Sequence, residues 1–107
     1  MTPFYSEVIA IFEIAGDNAV AQEWALRRLG IVGDIRQISI TRWVEPYKNE
    51  AVTTVRDGEQ RGKYTVRARL NFEAEGYADA QNKIVATLTA DPAVVYVNIQ
   101  SVTLTKA

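Results

Sequence analysis

Tyr64, Val66, Ala68, Leu70, Phe72 and Ala74 alternate without a break against Thr65, Arg67, Arg69, Asn71, Glu73 and Glu75. A period of two sustained over that span belongs to a β-strand with one buried and one wet face. Whatever else the chain forms must cover the buried face. Residues 7–14 are β-branched and apolar at both alternate positions, as expected of a strand central in its sheet, and they end at Gly16. A further strand is predicted over 35–44, with Ile38, Ile40 and Val44 on one face, Gln37, Ser39, Thr41 and Trp43 on the other, and Arg42 interrupting the apolar side.

Helices are expected between these runs. Asp17 and Asn18 are good N-caps, and residues 19–29 place Ala21, Ala25 and Leu29 on one stripe flanked by Trp24 and Leu26, with Gly30 as the stop. Arg28 falls inside that stripe, so its stem is expected along apolar surface and its head in solvent or on a partner. Ala80, Ile84 and Leu88 repeat every four residues within 78–90, Val85 lies at the rim, and Asp91-Pro92 ends the helix. The last strand opens with Val95, Val97 and Ile99 in phase, but Val102 and Leu104 have switched parity. A β-bulge gives that slip, and so does a chain end that leaves the sheet to pair elsewhere.

Residues 45–62, between the second and third strands, are too long for a tight turn. Pro46 to Glu50 are turn-like, Val52-Thr53-Thr54-Val55 is β-prone and Asp57-Gly58 is a strong turn pair. The segment reads as a protruding arm or a hairpin extension of its flanking strands. The dull alternative is a mobile loop without a role.

The order strand, helix, strand, strand, helix, strand fills a single domain over 1–107 and is that of an α+β, ferredoxin-like βαββαβ sandwich. Its expected form is a four-stranded antiparallel sheet in order 4-1-3-2, with both helices on one face and a long arm between the second and third strands. The helices are expected to cover Val8, Ala10, Phe12, Ile14, Ile38, Ile40, Val66, Ala68, Leu70, Val95 and Val97. The uncovered face then shows Ile9, Ile11, Trp43, Arg67, Arg69 and Tyr96, an apolar centre with a polar rim of the composition found in interfaces.

Composition narrows what such a face can do. The chain has no His and no Cys, which removes imidazole acid–base chemistry, thiolate nucleophiles, disulfides and nitrogen or sulfur metal ligands. Glu73 and Glu75 lie two apart on a wet strand beside arginines, where solvated ion-pair partners are expected and not a tuned acid and base. Gly30-Ile31-Val32-Gly33-Asp34 has the wrong spacing for a nucleotide-binding loop and follows a helix. No catalytic, cofactor or metal site is expected. Apolar stretches no longer than five residues, as at 8–12, and the lack of a basic run before that one give the expectation of a cytoplasmic protein without a leader or a membrane-spanning helix.

Three occupants of the open face compete. Arg61-Gly62-Lys63-Tyr64-Thr65-Val66 resembles the opening of the third-strand motif of RNA-recognition domains, but Lys63 and Thr65 occupy the positions where those domains carry stacking rings. Backbone-only contact remains open, through Arg67, Arg69 and the arm's Arg56, Arg61 and Lys63. A net charge of −1 argues against it, although eight arginines against four lysines suit contact surfaces. The favoured expectation is a protein surface: a small assembly module that forms homo-oligomers through the open face or an edge and binds a further protein partner, with Tyr47, Arg56, Arg61 and Lys63 presented by the arm. An accessory factor, including one encoded by a virus, has this design.

Overall fold

The structure, a computed structural model, describes residues 1–105. Its elements are β1 (Thr2–Ile14), α1 (Asn18–Val32), β2 (Asp34–Arg42), β3 (Val44–Glu45), β4 (Glu50–Ala51), β5 (Thr53–Arg56), β6 (Glu59–Ala74), α2 (Tyr77–Thr89) and β7 (Val94–Leu104). The protein is α+β: two helices lie against a five-stranded sheet in the order β2-β6-β1-β7, with β5 also paired to β6, and a separate small hairpin joins β3 to β4. Every pairing is antiparallel. The expected four-stranded sheet therefore has a fifth member.

The alternation in β6 is kept throughout, and its buried side meets Phe4, Val8, Ala10 and Phe12 of β1, Ala21, Ala25 and Leu29 of α1, and Ala80, Ile84 and Leu88 of α2 in one cluster. Each fully buried side chain of this size contributes roughly 1.5–3 kcal/mol over its exposed state, so this one face holds the fold together. Ile38, Ile40 and Val97 pack at its margins as expected. Val95 does not. The pairing of β1 with β7 shifts register between Ile11 and Phe12, leaving Val95 as the extra residue of a bulge, 48% exposed.

A second shift, between Glu7 and Val8, accounts for the parity switch: after it Ser6 faces Val102 and Phe4 faces Leu104 in the same sheet. Among the two readings of the slip, this is the bulge. The buried Ser6 hydroxyl donates to the Ser101 carbonyl at 2.7 Å, which satisfies both groups beside the irregularity.

Helix α1 starts where the capping residues place it, with the Asp17 carboxylate accepting from the Val20 amide. It runs two residues past the predicted stop at Gly30, because Val32 is buried and completes the apolar stripe. Gly33 ends it for a steric reason. A Cβ there would stand 2.4 Å from the Asn71 carbonyl oxygen and 2.5 Å from the Phe72 Cβ, so only glycine lets the chain pass this close to β6. The Arg28 guanidinium bonds Asp91 and the Thr87 carbonyl of the same chain while its side chain keeps partial contact with solvent.

The arm divides into two unlike parts. Strand β2 stops at Arg42, and β5 then takes up the same edge of β6, pairing Thr53 with Gly62 through to Arg56 with Glu59. Asp57 and Gly58, both with positive φ, make the two-residue turn between them. Residues 44–52 are an excursion from that shared lane, closed where the Trp43 carbonyl accepts from the Val52 amide at 2.8 Å. Val44, expected on the buried face of the second strand, belongs to this excursion and is 47% exposed.

Candidate functional site

Cross-strand register builds the open face row by row. Gln37, Arg69, Glu7 and Ser101 form one row; Ser39, Arg67, Ile9 and Asn98 the next; Thr41, Thr65, Ile11 and Tyr96 the third. Lys63 and Glu13 pair in the fourth, where Trp43 joins through its amide bond to the Lys63 carbonyl. Ile9 and Ile11 thus sit at the centre, half-buried within one chain, with their neighbours Val8, Ala10 and Phe12 turned into the core. Of the residues assigned to this surface from sequence, all six lie on it.

Its two rings are held differently. Trp43, 39% exposed, donates from Nε1 to Thr65 Oγ1 at 2.7 Å, and the Lys63 ammonium stands 4.2 Å from the ring centroid. That ammonium covers one side of the indole. Tyr96 is 47% exposed, and its hydroxyl accepts from Asn98 Nδ2 at 3.0 Å. Between β2, β6 and β1 a shallow concavity is lined by Gln37, Ser39, Arg67, Arg69 and Glu7. Arg69 Nε lies 4.0 Å from the Glu7 carboxylate with both side chains substantially exposed, a geometry that adds at most about 1 kcal/mol.

The arm residues singled out from sequence are not brought together. Tyr47 is fully exposed at the tip of the β3–β4 excursion. Arg56 bonds the Pro92 carbonyl, Arg61 is partly buried beside Glu59 at 3.9 Å, and Lys63 is on the open face already described. Thr54 of β5 donates to the Glu13 carboxylate. Thr54, Arg56, Arg61 and Lys63 therefore all contact their own chain, and for Thr54, Arg56 and Lys63 the sequence could not signal it because their partners are distant in it.

One titratable cluster lies away from this face. The Asp91 carboxylate accepts from Trp24 Nε1 at 2.8 Å, from the Ala93 amide at 2.9 Å and from the Arg28 guanidinium at 3.4 Å. Burial alone raises its pKa, but the bonds from Ala93 and Trp24 together with the Arg28 charge outweigh that and hold the carboxyl below its ordinary value of 3.8. A folded-state pKa below the unfolded one adds stability that is complete above the unfolded value and is lost as pH falls through the folded one. Asp91→Asn is expected to cost about 1.5 kcal/mol at neutral pH, the scale of hydrogen bonds to a charged group. The difference from the parent should shrink as the pH falls below the ordinary carboxyl value of 3.8 and the depressed Asp91 carboxyl takes up its proton; a penalty independent of pH in urea melts would assign the loss to packing.

Among the described residues no group of three or more acidic side chains is placed to hold a metal ion, and no helix is long and apolar enough to cross a membrane. No protein-family model matches the sequence, and no curated protein matches it.

Proposed function

We propose that the protein is a small, non-enzymatic interaction and assembly module that self-associates to cover its open sheet face and presents the remaining surface to a protein partner. The observation carrying this reading is the pair Ile9 and Ile11 at the centre of a face that no element among the described residues covers, bordered by Trp43 and Tyr96. An apolar centre with a polar rim is the anatomy of a protein interface. We assign the fold to the ferredoxin-like sandwich: taken as second, third, first and fourth strands, β2, β6, β1 and β7 read in the expected order, with β5 an addition at the edge.

The competing reading, contact with a nucleic-acid backbone, draws on Arg67 and Arg69, both exposed beside Gln37 and Ser39. It is not preferred. Arg56 and Arg61 are engaged within the chain, and the carboxylates of Glu7 and Glu13 share the face with Lys63, Arg67 and Arg69, so few phosphates could be neutralised.

Light scattering on the purified chain at about 100 µM, a concentration chosen because small interfaces hold near the micromolar range, separates the two. A homogeneous oligomer that binds no single-stranded oligonucleotide at about 150 mM salt is expected. A monomer that binds the oligonucleotide, and loses it in Arg67→Ala/Arg69→Ala, would overturn the proposal in favour of its competitor.

A further inference from the structure

The charges of the open face are sorted by strand. Over its four central rows β1 contributes Glu7 and Glu13, one at each end, while β6 contributes Lys63, Arg67 and Arg69. The flanking strands add only uncharged side chains to these rows. An acidic column therefore lies beside a basic one, with Ile9 and Ile11 filling the acidic column between its carboxylates.

The sheet edges are poor candidates for pairing with another strand. Edge β7 carries two register shifts, and a shift between Ile35 and Gln37 interrupts β2 on the opposite edge before the 44–52 excursion breaks that lane again. Bulges and short, interrupted lanes blunt an edge against further strand addition. The face is continuous where the edges are not.

We infer that the occupant of the open face is a second copy of this chain, laid with its strands parallel to the first and related by a two-fold axis that runs along the seam between β1 and β6. This rests on the self-association reading and specifies its geometry. In that arrangement each β1 lies over the other copy's β6, so that the Glu7 and Glu13 column meets the basic column twice. Ile9 and Ile11 then pack on the stem of the other copy's Arg67 and the methyl of its Thr65. A two-fold axis running across the strands would instead set Glu7 over Glu13 and Lys63 over Arg69, stacking like charges. Sheets packed face to face cross at about 30°, which displaces the end rows by roughly 5 Å, one strand spacing. Lysine and arginine side chains span that offset.

The experiment uses two full-length variants, Glu7→Lys/Glu13→Lys and Lys63→Glu/Arg69→Glu, each checked by circular dichroism and weighed by light scattering. Each alone is expected to associate at least about tenfold more weakly than the parent, and an equimolar mixture is expected to recover a heterodimer, because only unlike columns then face each other. If both variants remain dimers, or if the mixture stays monomeric, the β1-on-β6 arrangement is wrong while a parental dimer still supports self-association by another surface. A monomeric parent sinks both. Should a variant not fold, carbodiimide coupling of the parent decides. In a mixture of unlabelled and isotopically labelled chains, a Glu13–Lys63 crosslink between copies is expected, and finding that link only within single chains overturns the inference.

Discussion

Ile11→Arg is expected to dissociate the oligomer and leave the fold in place. Ile11 lies between Thr65 and Tyr96 on the open face, while its neighbours Ala10 and Phe12 point into the core. In a monomer an arginine there keeps the backbone pairing and turns its head to water, and a surface exchange of this kind changes stability by no more than about 0.5 kcal/mol. In the oligomer the same guanidinium displaces the apolar centre. Central anchors of interfaces lose about 2 kcal/mol or more on disruption, so the dissociation constant should rise at least about 30-fold. Mass by light scattering and melting by circular dichroism read the two consequences separately. An unchanged mass would place the interface elsewhere, and an unfolded monomer would place Ile11 in the core.

The side of the sheet that stays uncovered could be read from parity alone, because a one-residue error would have exchanged the charged residues of β6 for its buried ones. Thr65, Arg67 and Arg69 left only one answer. The ends of elements were less legible, and each miss has a physical cause. Strand β1 begins at Thr2, five residues before the apolar run, because Phe4 is buried against Phe72 and Tyr77 and the buried Ser6 finds its partner in Ser101. A proline and a serine at strand positions hide such an extension. Helix α1 passes Gly30 because the constraint that stops it, the backbone of β6 beside Gly33, belongs to tertiary contact and leaves no local signature.

The rows of the open face required the register. Alternation says which residues share a face, but whether Glu7 lies beside Arg69 or Arg67 depends on how the strands are slid, and β7 is slid twice by bulges. The sorting of acid onto β1 and base onto β6 emerges only then. The Asp91 cluster was half visible: Arg28 inside an apolar stripe and Asp-Pro after a helix are both anomalies of sequence. Their junction with Trp24 was not, since the contact joins residues more than sixty positions apart.

Phe12→Ala should have the largest effect on stability of any single change on β1, directly beside the residue whose change should leave stability alone. The Phe12 ring is wholly buried, with Trp24 at 4.2 Å and Tyr64 at 5.4 Å between centroids, both near-parallel to it. Neither neighbour is free to close the gap. Trp24 is tied to Asp91, and the Tyr64 hydroxyl accepts from Arg42 at 3.1 Å while the Arg42 guanidinium lies over its ring. A large-to-small change at a site that cannot collapse loses about 3–5 kcal/mol, much of the 5–15 kcal/mol that holds a domain of this size. The melting temperature should fall by at least about 12 °C, and the self-association of whatever remains folded should be unaltered at low temperature. A loss below about 1 kcal/mol would mean that the ring is not the centre of the stack. Together with Ile11→Arg, this pair of adjacent substitutions assigns folding to one side of β1 and association to the other.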